Sequence, residues 1–290
     1  MKNLLITGSN GQLGSEIKVL STQYPDFNFI FTDINELNIT DYQLLDKFFE
    51  ENKIDFVVNC AAYTAVDKAE QDEVMARFIN TNAVKYISQI TKKHNVFLIH
   101  ISTDYVYNGK HYKPYTEEDP INPESTYGKT KADGEKELLQ HAGNAIIIRT
   151  SWLYSSFGNN FIKTILKYGR ERGKLNVVYD QIGTPTYAFD LAKTILDIIP
   201  KLTIKDTVEI YNYSNEGVTS WYDFAKEIIE LSGIDCTINA IETKDYPLPA
   251  ARPQYSVFNK SKIKHEFNIN IPFWKDSLKH CLKLINEQNR

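Results

Sequence analysis

The sequence predicts an α/β fold, a doubly wound parallel sheet with a smaller, partly interleaved C-terminal lobe. Three observations lead there. Short, nearly unbroken Val/Ile/Leu runs alternate with longer amphipathic stretches through the first 150 residues, and strands that are apolar at almost every position belong to parallel sheets covered on both faces. A glycine-rich loop, Gly8-Ser9-Asn10-Gly11-Gln12-Leu13-Gly14, joins the first run to the first amphipathic stretch. At 290 residues the chain is long enough for one α/β domain and an appended lobe.

Taken in order, residues 3–7 read as a strand, 12–20 as a helix, 28–32 as a strand, 41–51 as a helix and 56–58 as a strand, giving βαβαβ. Residues 73–93 read as one long helix, 96–101 as a strand, 127–140 as a helix and 145–148 as a further strand. Beyond about Thr150 the rhythm loosens, with Tyr/Gly/Pro-rich connections over 179–187 and 246–253. A helix over 186–199 is expected to return to the sheet. The predicted division is a dinucleotide-binding domain over 1–150, with a return of about 183–200, and a mainly substrate-binding lobe over 151–290.

Composition narrows the function classes. With 42% hydrophobic and 24% charged residues, wholesale disorder and coiled coil are excluded. A net charge of -4 without a Lys/Arg-rich run gives neither nucleic acid nor an anionic membrane a reason to bind. Cys60, Cys236 and Cys281 form an odd, widely spaced set, which argues against a disulfide framework and a zinc site and fits a reducing cytosol, so a cytoplasmic location is expected. No apolar run is long enough to span a bilayer, and the one at the N-terminus stops at Gly8.

The glycine loop sits where a βαβ unit would use it. Glycine lets backbone N–H groups approach a pyrophosphate, which then rests on the positive end of the helix dipole. Gly8, Asn10, Gly11, Gln12, Leu13 and Gly14 are therefore candidate cofactor residues, and the expected fold is a Rossmann fold. Asp33, closing the second strand, is placed to accept from the adenosine ribose hydroxyls and would repel a 2′-phosphate. NADH is thus favoured, with NADPH kept open. Asn38 and Ile39 are candidates for adenine contact, while Thr40 or Asp41 reads as the cap of the next helix. Small residues at the end of the third strand, Ala61 and Ala62, followed by Tyr63, leave room for a ligand across the crevice.

At the reacting end, Ser102-Thr103-Asp104-Tyr105 closes the fourth strand and Tyr127 and Lys131 lie four apart on one helix face. A phenol ionises near 10 in water, and an ammonium beside it lowers that value, making Tyr127 a usable proton donor and acceptor. Thr103 adds a hydroxyl for the same substrate oxygen. Hydride transfer from a nicotinamide to a carbonyl carbon, with Tyr127 protonating the oxygen, is the reaction these parts suggest.

These stretches resemble the extended short-chain dehydrogenase/reductase superfamily and, within it, the dTDP-4-dehydrorhamnose reductase family. The likeness runs through residues 6–14, 59–70, 102–107, 123–131, 149–154, 180–186 and 252–256. The glycine loop and the Tyr/Lys pair specify only the superfamily, whereas Thr64-Ala65-Val66-Asp67-Lys68-Ala69-Glu70 and Gly183-Thr184-Pro185-Thr186 narrow it. The resemblance implies NAD(P)H-dependent reduction of the 4-keto group of dTDP-4-dehydro-L-rhamnose, with Thr103, Tyr127 and Lys131 catalytic and Lys131 also touching the nicotinamide ribose. It further implies that Asp104 and Trp152, like Thr103 and Tyr127, contact the dTDP-sugar. An indole can stack on a sugar or base, and Arg252 is a candidate for the diphosphate, since a guanidinium matches phosphate oxygens. Some members of that family bind magnesium through carboxylates. Glu16 matches one, but Phe189 stands where another is expected and carries no oxygen, so no metal is predicted and a homodimer built around it stays open.

The same superfamily contains sugar-nucleotide dehydratases and epimerases, and a regulatory subunit of methionine adenosyltransferase that binds without turnover. Dehydratases resemble Thr-Asp-Glu at the strand end. Tyr105 stands here in place of that glutamate, and the Thr103, Tyr127 and Lys131 set is intact, which favours a reductase.

Overall fold

The computed structural model describes residues 1–288. Its centre is a six-stranded sheet of β1 (Lys2–Thr7), β2 (Phe27–Phe31), β3 (Phe56–Asn59), β4 (Phe97–Thr103), β5 (Ala145–Thr150) and a sixth strand, Val208–Tyr213. All neighbours pair in parallel, in the order sixth strand, β5, β4, β3, β1, β2. Strand order reverses at β1, so the crevice beyond its C-terminal end is the switch point where such sheets bind ligands.

Successive β1 side chains explain the double cover. Leu4 and Ile6 face one layer with Ile17, Ile99, Ile148, Leu191 and Ile195, where α1 (Gln12–Leu20) and α8 (Ala188–Ile198) lie. Leu5 faces the other with Val57, Leu98, Ile147, Ile87 and Leu138, under α2 (Tyr42–Glu51), α5 (Ala83–Lys93) and α6 (Thr126–His141). Each such side chain, fully buried, contributes about 1.5–3 kcal/mol.

Two elements differ from the sequence expectation. The stretch 73–93 is not one α-helix: between α4 (Glu73–Arg77) and α5, residues Phe78–Asn82 form a π turn. Such turns occur as single-turn bulges inside α-helices, and here buried Asn80 spans from Tyr63, accepting from its N–H at 2.9 Å, to the Thr130 hydroxyl on α6 at 3.2 Å. The second difference is the sixth strand, expected in the lobe but paired with β5 in register from Val208↔Ala145 to Tyr213↔Thr150. In Val-Glu-Ile-Tyr-Asn-Tyr, Glu209 and Asn212 interrupt the apolar run, unlike the strands inside the sheet; Glu209 is half-buried at the outer edge, while Asn212 is buried and donates to the Tyr115 carbonyl at 3.0 Å. Behind it α10 (Ser261–Phe267) packs Phe267 edge-on against Tyr211.

The lobe gathers α7 (Phe161–Arg172), α9 (Trp221–Ser232) and α11 (Trp274–Gln288) around Tyr154, Phe224, Trp274 and Leu278. Short pairings stiffen it: Lys174–Val178 with Thr237–Ile241, Ile182–Gly183 with Thr219–Ser220, and Leu153–Tyr154 with Thr186–Tyr187. A short helix, Val66–Ala69, precedes α4 at the rim of the crevice. Among the described residues no helix is long and apolar enough to cross a membrane.

Candidate active site

The glycine loop leaves β1 through Gly8 at φ +62°, where an added Cβ would lie 2.7 Å from the Ala61 Cα. A Cβ on Gly14 would meet the Ser9 Cα at 2.5 Å. These glycines let the loop lie flat between β1 and β3. Gly11 caps α1 without any side-chain hydrogen bond, so the first-turn N–H groups keep their donors for a ligand. An uncapped helix start beside a cradle that side chains would fill fits a dinucleotide pyrophosphate. Asp33 braces this loop, accepting from Asn10 N–H at 3.0 Å and Ile34 N–H at 2.8 Å.

The remaining cofactor candidates surround that loop with differing contributions. Gln12 accepts from the Asn160 amide at 3.0 Å, which ties α1 to the lobe, while Leu13 is a core side chain. Asn38 folds back on Thr40, accepting from its N–H at 3.1 Å and its hydroxyl at 2.7 Å. Ile39 points into the core layer, so it can meet an adenine only through its backbone. Asp41, as read from the sequence, caps α2 through Leu44 N–H at 3.0 Å. Ala61 and Ala62 follow β3, and Tyr63 is clasped by the Asn80 side chain at both its N–H and its carbonyl.

The reacting end is built on α6. Ser125 caps it, its hydroxyl accepting from Gly128 N–H at 3.1 Å, and Glu70 accepts from Thr126 N–H at 2.8 Å, so the first turn is fixed from outside the helix. Tyr127 and Lys131 both occupy the buried face beside the end of β4. Thr103 donates to Asp104 Oδ1 at 3.1 Å. Burial pushes the Tyr127 phenol up to about 12, with its hydrogen-bond contact to Thr103 pulling the other way. Here the sequence expectation needs correcting: Lys131 does not lower the Tyr127 phenol. Its Nζ turns away, donating to the Ile101 carbonyl at 2.7 Å and lying 3.3 Å from His100 Nε2. Burial lowers Lys131 itself to about 8, against the pull of Glu135. Burial also lifts Asp104 to about 7, so near neutrality it can both donate to and accept from a sugar hydroxyl.

Beneath α6 runs a buried ion pair. Arg149 Nη2 meets Glu135 Oε2 at 2.6 Å, with the two side chains 3% and 1% exposed, and Nη1 donates to the Tyr107 hydroxyl at 2.7 Å. Ser102 donates to the same glutamate. Helix α6, β4 and β5 are thus locked beneath the reacting residues.

A cavity of about 1010 Å³ opens between Tyr105 and the lobe, lined by Tyr168, Arg172, Lys174, Trp221 and Arg252 among others. Trp152, at φ +47°, stacks on Trp221 with ring centroids 3.6 Å apart and planes 10° apart. Arg252 Nη2 is held by Asp67 at 2.6 Å, and its Nη1 donates to the Ala250 carbonyl at 2.9 Å, so a diphosphate there would compete with an existing ion pair. Arg172 and Lys174 are further cations of this cavity that sequence reasoning passed over; each sits in an ordinary surface pattern. Asn59, Asn80, His100 and Trp221, which sequence reasoning also passed over, contact the candidate residues or their neighbours. A histidine inside the apolar run Phe-Leu-Ile-His-Ile was the available signal.

Glu16 accepts from the Ser155 hydroxyl at 2.6 Å and is buried, while Phe189 stacks on Tyr187. Among the described residues no group of three or more His, Cys, Asp or Glu is gathered to hold a metal.

Comparison with known proteins gives a consistent answer. The family model for the RmlD substrate binding domain matches residues 1–287. A dTDP-4-dehydrorhamnose reductase of Aggregatibacter actinomycetemcomitans is 39% identical, covering 97% of this chain and 98% of its own. The crystal structure of a dTDP-4-dehydrorhamnose reductase from Clostridium acetobutylicum superposes with a TM-score of 0.93 at 40% identity, covering 98% and 99% of the two chains. That of the Bacillus anthracis reductase in complex with NADP does so with 0.92 at 33%, covering 98% and 100%.

Proposed function

The chain belongs to the RmlD substrate-binding-domain family, that of the dTDP-4-dehydrorhamnose reductases, and from that membership we propose that it reduces the 4-keto group of dTDP-4-dehydro-L-rhamnose to dTDP-L-rhamnose with a nicotinamide dinucleotide, in nucleotide-sugar biosynthesis. The observation that supports this most directly is the Tyr127 phenol hydrogen-bonded to Thr103 at the end of β4, with Lys131 buried one turn along α6, together with an uncapped, glycine-lined helix start after β1.

When bound, the nicotinamide supplies the hydride for the keto carbon. Tyr127, protonated at neutral pH as any phenol is and held so by burial, donates its proton to the keto oxygen. The Thr103 hydroxyl holds that oxygen in line. Lys131, its Nζ anchored on the Ile101 carbonyl beside His100, holds the nicotinamide ribose, and Asp104 orients the sugar through its hydroxyls. Trp152, stacked on Trp221, offers a face to the sugar nucleotide, and Arg252 with Arg172 and Lys174 gives the cavity a positive lining suited to a diphosphate. The dinucleotide is held by the loop Gly8–Gly14, by Asp33 and by residues 61–63. In this reading residues 1–150, with α8, the sixth strand and α10, make the dinucleotide part and the remainder the substrate lobe, working in the cytoplasm.

NADH is the preferred coenzyme, because the Asp33 carboxylate beside the adenosine ribose opposes a 2′-phosphate; the Bacillus anthracis relative was solved with NADP. The test is to supply enzymatically generated dTDP-4-dehydro-L-rhamnose and follow oxidation of NADH and NADPH in parallel, identifying the product. Formation of dTDP-L-rhamnose is expected; binding of dinucleotide with no turnover would overturn the reductase reading. Asp33→Ala is expected to weaken NADH more than NADPH, and an unchanged preference in the same assay would remove Asp33 from the adenosine site.

A further inference from the structure

A row of buried polar groups crosses the C-terminal ends of the sheet and stops at Lys131. Thr7, Asn59 and His100 sit in register on β1, β3 and β4, at 1%, 1% and 0% exposure. The direction of each hydrogen bond in this row can be worked out. The backbone N–H of Ala61 can only donate, and it meets Asn59 Oδ1 at 3.2 Å; the Thr7 hydroxyl donates to the same oxygen at 2.7 Å. The amide orientation is therefore fixed, and Asn59 Nδ2 must donate to His100 Nδ1, 3.0 Å away. A neutral imidazole has one donor and one acceptor, so with Nδ1 accepting, the proton is on Nε2. That N–H faces Lys131 Nζ at 3.3 Å.

An ammonium has three donors and no lone pair, so a charged Lys131 meets the imidazole donor to donor. A free amine accepts from it and still donates to the Ile101 carbonyl. We propose that His100, locked by Asn59 as its Nε2–H tautomer, is a positioning residue that donates to the Lys131 nitrogen and weakens its hold on its proton. The inference rests on Lys131 belonging to the reaction centre. His100 cannot relieve the conflict by changing state, since burial and the Lys131 charge hold it well below its ordinary value. Other groups around the lysine act in known senses. Glu135, one turn on and paired with Arg149 of β5, favours the ammonium; Tyr127, one turn before, and Asp104 beyond Thr103 are neutral or partly ionised near neutrality. The imidazole N–H adds to burial in opposing Glu135, and the balance keeps the lysine close to release of its proton.

The test starts from ligand-free protein labelled with 15N-histidine. The His100 imidazole is expected to show a protonated Nε2 and a bare Nδ1 from pH 6 to 9; an Nδ1–H tautomer or an imidazolium would overturn the proposal. In the same protein, titration of the Lys131 13Cε resonance is compared with that of His100→Phe and His100→Gln. Removing the donor in H100F is expected to raise the lysine midpoint by about one pH unit, a tenfold tighter hold on the proton, and H100Q, whose amide can donate to the same nitrogen, to restore most of the wild-type value. A midpoint unmoved in H100F means that the histidine only fills space, and the proposal fails. Should H100F not fold, the wild-type spectrum and H100Q decide. The basic limb of the pH profile of turnover is expected to move with the same midpoints; absence of any turnover would count against the reductase reading, while the two titrations still judge His100.

Discussion

Asp104→Asn separates what the site needs from what the fold tolerates. Asp104 is 3% exposed, and burial raises it from 3.8 to about 7. A carboxyl raised on folding binds its proton more tightly in the folded state, so stability falls as pH climbs between those two values, and the full penalty is present above about 7. At about 1.4 kcal/mol per unit, three units amount to about 4 kcal/mol. Only the last two of them lie above pH 5, so the stability difference between variant and wild type should shift in favour of asparagine by roughly 3 kcal/mol between pH 5 and pH 8. Reading the change with pH cancels any constant cost of the amide in its hydrogen bond with Thr103. The assay is urea unfolding of both proteins at the two pH values, followed by tryptophan fluorescence. A difference that does not change with pH would refute the claim that this carboxyl is held out of water. Turnover of the same variant should fall, since the sugar loses an acceptor, as expected where a site keeps a destabilising group for its chemistry.

Three further outcomes follow from the geometry. Tyr127→Phe removes the proton donor and should cut turnover by about 10²–10⁴-fold while dinucleotide binding, followed by fluorescence titration, stays nearly unchanged. Gly14→Ala places a Cβ 2.5 Å from the Ser9 Cα, so the loop must move; dinucleotide affinity in the same titration should drop by at least about tenfold, roughly 1.4 kcal/mol. Glu135→Leu leaves Arg149 buried without its partner and should cost about 3–5 kcal/mol in urea unfolding, whereas adding Arg149→Met should recover most of it; equal losses in single and double variants would contradict this.

Much of the fold was legible because β1, β3, β4 and β5 are apolar on both faces and only a parallel, doubly covered sheet accounts for that. The sixth strand was hidden by its position at the sheet edge, where Glu209 and Asn212 interrupt the apolar run. The π turn at Phe78–Asn82 has no local sequence mark; it follows from Asn80 having partners on both Tyr63 and α6. In the site, Thr103, Tyr127 and Lys131 came from spacing and chain order, and the structure sets the Thr103 side chain beside the Tyr127 phenol. What spacing could not supply was direction: Lys131 points along β4 toward Ile101 and His100 instead of toward the Tyr127 phenol. The Trp152–Trp221 stack joins residues 69 apart in the chain, and neither indole carries a sign of the other.

The way the sixth strand completes the sheet bears on how the chain is made. During synthesis, residues 1–150 emerge well before 208–213, and until the latter arrive β5 is the outer strand of a five-stranded sheet. All six of its residues are buried in the finished protein, and its first four, Ala-Ile-Ile-Ile, carry no charge. An open edge of that kind invites a second chain to pair with it. The nascent protein therefore passes through an interval in which a fully buried strand of the finished sheet is unguarded, and a fragment cut at the apparent end of the nucleotide-binding half would remain in that state.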